Sequence, residues 1–160
     1  MHIEIVNKTD NELYLKDKYY TPFLDLAIVY HMDGVHKYFV THQETILFKR
    51  VLETIHRESE FYLKYGKVLS LVDKNEKNIS IVAILDTLLL GSIQKELKDT
   101  FYILPQSKYE LRIIPAGEIP EREKLEFLQE GLIASNDDLP AEYIVSNHIY
   151  YYDSELSVAV

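Results

Sequence analysis

An α+β fold is what the sequence predicts: one domain over residues 1–160, with a mainly antiparallel β-sheet and about three helices packed against it. Three observations carry this. Short apolar runs are joined by turn-forming residues close enough in sequence to make hairpins. Between them lie segments whose apolar residues recur at three or four positions and whose ends carry helix caps. The 160 residues are 47% hydrophobic with only 5 Gly and 5 Pro, which suits one real core and no linker.

Taken in order, residues 2–7 and 12–16 alternate apolar and polar side chains around Lys8, Thr9, Asp10 and Asn11, a spacing that predicts a β-hairpin. After Pro22, residues 23–32 read as one strand ending at Asp33-Gly34, with 35–41 returning. Thr41 and Glu44 have capping-box spacing, and Leu47, Val51, Ile55, Tyr62 and Leu63 share a helical stripe that Gly66 closes. Residues 68–73 and 79–85 then read as strands, and Asp86 caps a helix to about Lys98, with Gly91 inside it.

The stretch 101–115, FYILPQSKYELRIIP, predicts a central hairpin of strands 101–104 and 109–115 turning at 105–108. Ile103, Leu104, Ile113 and Ile114 leave no polar stripe, so both faces should be covered. Pro120 starts a helix whose stripe is Leu125, Leu128 and Leu132, Pro140 begins one more helical turn, and 148–153 is a tyrosine-rich last strand. Residues 154–160 read as a loose tail.

No cysteine is present, which removes disulfides, thiolate catalysis and sulfur-ligated zinc. No window reaches the apolar length of a membrane span, and the first residues lack a basic region followed by an apolar one, so a cytoplasmic chain is expected. Seventeen Lys plus Arg against 26 Asp plus Glu give a net charge of -9. Such a field repels phosphate backbones and favours a basic protein surface as partner over nucleic acid.

Residues 23–30 (FLDLAIVY), 101–115 (FYILPQSKYELRIIP) and 145–153 (VSNHIYYYD) resemble, in the same order, the hallmark segments of a bacterial family of unknown function, the DUF5688-like proteins. The resemblance covers about residues 20–153. It keeps Leu104, Pro105, Ser107 and Glu110 of the family's central turn and departs at Gln106 and Tyr109, where the family has Ser and His. It implies a chain shortened at its N-terminal side and assigns no activity.

Several residue sets bear on chemistry. Ser107 and Glu110 would serve nucleophilic catalysis if a histidine lay beside them, but Tyr109 stands there and is a poor base at neutral pH. Across the Asp33-Gly34 hairpin His31 faces His36, a pair able to share a metal given a third ligand, and Asp25 faces His42, a carboxylate with a base. Plain structural roles are the favoured reading of all of them: 105–108 as a simple turn with Glu110 a solvated or paired strand residue, His31 and His36 as cross-strand neighbours, and Asp25 holding His42 at the helix start. No nucleotide fingerprint or metalloprotease motif appears, and no cofactor is expected. Tyr150 and Tyr152, with Glu121, Glu123, Asp137 and Asp138, are the candidate interaction residues, since exposed tyrosine beside acid suits a protein interface. The function these readings favour is a non-enzymatic acidic protein-binding module, an inhibitor or regulator of a nucleic-acid enzyme of the phage or mobile-element anti-defence type. The alternative is a small hydrolase or metal-dependent enzyme.

Overall fold

The structure is a computed structural model that describes residues 2–31, 62–64, 68–73 and 75–160. The described residues form two antiparallel sheets and three α-helices, the α+β architecture expected from the sequence. The first sheet is three-stranded, in the order β1 (His2–Asn7), β3 (Leu26–His31), β2 (Tyr20–Phe23), with the single-turn helix α1 (Glu12–Leu15) between β1 and β2. The larger sheet runs β5 (Leu69–Val72), β7 (Glu110–Pro115), β6 (Phe101–Ser107), β8 (Tyr150–Asp153), β9 (Glu155–Val158), with the three-residue β4 (Tyr62–Lys64) along the outer side of β5. Helices α2 (Thr87–Leu97) and α3 (Arg122–Asp137) complete it.

The central hairpin sits where its two-sided apolar pattern requires. Phe101, Ile103, Leu111 and Ile113 face one core, shared with Leu89, Leu90 and Ile93 of α2 and with Ile5, Leu26 and Ile28 of the small sheet. Leu104 and Ile114 face the other, under Leu125 and Leu132 of α3. The small sheet and α2 therefore shield one face of the large sheet, and α3 the other. β3 is itself buried on both sides, because Ala27 and Val29 pack with Val6 and with Leu15 of α1.

Asp86 caps α2, its Oδ1 accepting the amides of Leu88 and Leu89 at 3.1 and 3.0 Å. Gly91 causes no break, because propagation of a helix tolerates one glycine when the flanking residues are buried. A Cβ added there would lie 3.8 Å from the Tyr152 hydroxyl.

Five expectations are corrected. Residues 12–15 form α1 rather than a strand, and β1 pairs with β3 instead. The 23–32 run is divided at Leu24, whose φ of 55° makes the turn that lets β2 fold back on β3. Ile81–Leu85 is a buried 3-10 segment, tied to the hairpin by the Ile81 amide on the Lys108 carbonyl. The central turn is the pair Lys108 and Tyr109, because a bulge between Pro105 and Ser107 keeps both strands in register past the proline. The tail is ordered: β9 pairs with β8, and Val160 still receives the Ile149 amide.

The strand and turn expected over 32–41 and the helix start at Thr41 lie outside the described residues. Tyr62 and Leu63, placed on that helix by the sequence pattern, belong to β4. No described helix is long and apolar enough to cross a membrane.

Candidate functional site

The densest cluster of polar side chains among the described residues is centred on Glu4. β1 carries it on the face that looks toward α1. Its Oε2 accepts the Tyr14 hydroxyl and His31 Nε2, both at 2.8 Å, and its Oε1 accepts Lys108 Nζ at 2.7 Å. Partial burial alone would raise the Glu4 carboxyl, but the donors of Lys108, Tyr14 and His31 outweigh it and hold the group at about 2. Burial, and then the Glu4 carboxylate, push the Tyr14 phenol up to about 12. Acid–base catalysis at neutral pH needs groups tuned toward 7. Both shifts run the other way, so the cluster is a charge-assisted clamp joining α1, the small sheet and the turn of the large sheet. A cavity of about 350 Å³ opens beside it, lined by Ile3, His31, Ile81, Lys108 and Tyr109.

A second junction is built on Asp25, which follows the Leu24 turn. Its Oδ2 accepts the Ser146 hydroxyl at 2.7 Å and its Oδ1 the Tyr150 hydroxyl at 2.8 Å. Burial is the main reason the Tyr150 phenol is pushed upward, with the Asp25 carboxylate adding to it. Asp25 thus holds the small sheet to β8. His42, its expected partner, lies outside the described residues, as does His36, the expected partner of His31. Among the described residues no three His, Asp or Glu side chains are grouped to hold a metal.

Ser107 and Glu110 face each other across the β6–β7 turn. The Ser107 hydroxyl accepts the Tyr109 amide at 3.2 Å, closing the turn, and Glu110 takes Arg112 Nε at 3.0 Å. Each is therefore engaged locally, and no side-chain hydrogen bond joins them among the described residues.

No protein-family model, curated protein or solved structure matches this chain.

Two of the interaction candidates are corrected. Tyr150 is 0% and Tyr152 4% exposed, since alternation on β8 turns both toward the core, where Tyr152 packs on Phe101 at 5.2 Å. The outward tyrosine is Tyr151, half-buried, its ring 5.2 Å from that of Tyr102. The four acidic candidates are all exposed: Glu121 and Glu123 at the start of α3, Asp137 and Asp138 at its end.

α3 adds a residue that the sequence analysis did not single out. Phe127 is 73% exposed, on the side of the helix opposite Leu125 and Leu132. Spacings of four and three place Glu123, Phe127, Glu130, Ala134 and Asp137 in one outward stripe. The cations of this helix are used elsewhere: Arg122 pairs with Glu126 at 3.0 Å and Lys124 with Glu121 at 3.9 Å. Among the described residues Glu123, Glu130 and Asp137 form no ion pair. A shallow groove of about 400 Å³ runs along Phe127 past Glu118 and Glu123.

Proposed function

We propose that this chain is a protein-binding module that presents the acidic outer stripe of α3 to a basic partner, as an inhibitor or regulator occupying the nucleic-acid site of an enzyme would. The observation that carries the reading is Phe127, a large apolar side chain 73% exposed on a helix where Glu123 and Glu130, about one turn to either side, form no ion pair among the described residues. Single exposed apolar side chains are common on protein surfaces. Set in an acidic stripe, Phe127 suits an interface, because aromatic side chains at the centre of a charged rim supply most of the affinity while the charges set approach and specificity. The net charge of -9 supports a basic partner and opposes direct contact with nucleic acid.

The test is capture by the immobilised full chain, with wild type compared to Phe127→Ala and to the Glu123→Lys, Glu130→Lys double variant. The same basic protein should be retained by wild type at low salt, lost at about 0.5 M salt, and weakened roughly ten- to a hundredfold by Phe127→Ala, the value of burying one aromatic anchor. Retention that ignores salt and both variants would reject the reading.

A further inference from the structure

The large sheet ends at β9, which has no strand on its outer side among the described residues, and Glu155, Ser157 and Val158 are exposed there. Bonded and non-bonded pairs alternate along an antiparallel ladder. The Ala159 amide donates to the Ile149 carbonyl, so the next bonded pair is Ser157 with Tyr151, and the backbone N–H and C=O of Leu156 and Val158 point out of the sheet. An open edge of this kind can take up an extended chain.

The side chains around that edge are selective. Tyr102, Tyr151 and Ser157 stand side by side across β6, β8 and β9, on the face that α3 partly covers. Between this row and Pro120 lies an open groove of about 390 Å³ that reaches Ser157 and Val158. Strand alternation puts Asp153 and Glu155 on the same face as Tyr151 and Ser157, and both acids are exposed with no ion pair among the described residues. Arg122, on the groove wall, is already bonded to Glu126.

We propose that β9 receives an extended basic segment of the partner as an added strand, with a large apolar side chain over Tyr151 and a lysine or arginine two residues away beside Asp153 and Glu155. This rests on the protein-binding reading above and names the segment it recognises. A second copy of this chain is the competing occupant of an open edge. It is disfavoured because each copy carries a charge of -9 and edge pairing would bring two sets of these carboxylates together.

The full chain, labelled with ¹⁵N, is titrated with acetyl-Thr-Lys-Thr-Leu-Thr-Lys-Thr-amide, whose lysines flank leucine at two residues on either side and so serve both strand directions. Saturable shifts at the Tyr151, Leu156 and Val158 amides are expected. Of two such peptides N-methylated at alternate amides, one should bind at least about tenfold more weakly, and a peptide with glutamate for lysine should lose as much. Glu155→Lys, a change at an exposed position, should weaken the lysine peptide several-fold and favour the glutamate one. Absence of shifts at these amides, indifference to N-methylation, or peptide-free shifts at β9 that grow with protein concentration would overturn the proposal. Because the titration does not involve the α3 stripe, its failure alongside salt-sensitive capture through Phe127 would sink strand addition alone.

Discussion

Replacing Glu4 by Gln removes one charge from the clamp while preserving its shape. In the wild type the carboxylate accepts three donors, from Tyr14, His31 and Lys108, within 2.8 Å. Its descent from the ordinary 4.5 to about 2 corresponds by linkage to about 3 kcal/mol, and solvent screening at a side chain 25% exposed reduces this to about 1–2 kcal/mol. Lys108, only 19% exposed, would be left without its counter-charge, so a total loss of about 2 kcal/mol is expected at pH 7. The Glu4 carboxyl titrates lower in the folded chain than in the unfolded one. Its contribution is therefore complete above pH 4.5 or so and disappears as pH falls through about 2. Urea denaturation of wild type and Glu4→Gln, measured in parallel from pH 7 down to the lowest pH at which both fold, isolates this group from the other carboxylates. The gap between them should narrow steadily below pH 4.5. A gap below about 0.5 kcal/mol at pH 7, or one that stays constant down the series, would refute the clamp.

Three further outcomes follow from the packing. Asp25→Ala strands the hydroxyls of Ser146 and Tyr150, both buried, and should destabilise by about 3 kcal/mol, with Tyr150→Phe losing about half as much; thermal melts decide it. Asp86→Ala removes the acceptor of two amides at the start of α2 and should lower stability by about 1–2 kcal/mol, read as a shift in the urea midpoint at unchanged slope. Gly91→Ala should stabilise by up to about 1 kcal/mol, since the new methyl group meets only ordinary contact with the Tyr152 hydroxyl; a drop in melting temperature would show that this space is already filled.

The parts of the fold that local chemistry specifies could be read from the sequence. The 101–115 hairpin, the Asp86 cap and the Leu125, Leu128, Leu132 stripe each announce themselves through spacing alone. Turns at Leu24 and Ser154 did not, because both place a non-glycine residue at φ near 60° with no Gly or Asn to mark it. The run 81–85, IVAIL, has no period to distinguish a buried 3-10 segment from a strand. Residues 12–15 alternate like a strand, yet β1 takes β3 as its partner, whose six residues offer more apolar surface to bury than this four-residue segment does.

Site residues followed the same division. The Glu4 clamp joins positions 4, 14, 31 and 108, and the Asp25 junction joins 25, 146 and 150, separations that no local motif encodes. Phe127 was within reach: it stands two residues past Leu125, about 200° around the helix, and a helix whose core stripe is known must turn that position outward. Tyr150 and Tyr152 were misassigned because alternation fixes that they share a face without fixing which face is buried.

Site-specific photocrosslinking asks most directly whether the α3 stripe meets a partner. Benzoylphenylalanine is placed at Phe127 in one full chain and, as a control on an exposed position of α2, at Glu96 in another. The account predicts a discrete adduct with a basic protein from position 127, suppressed by high salt and by Glu123→Lys with Glu130→Lys, and none from position 96. Equal labelling from both positions, or an adduct at 127 that survives high salt and charge reversal, would contradict it.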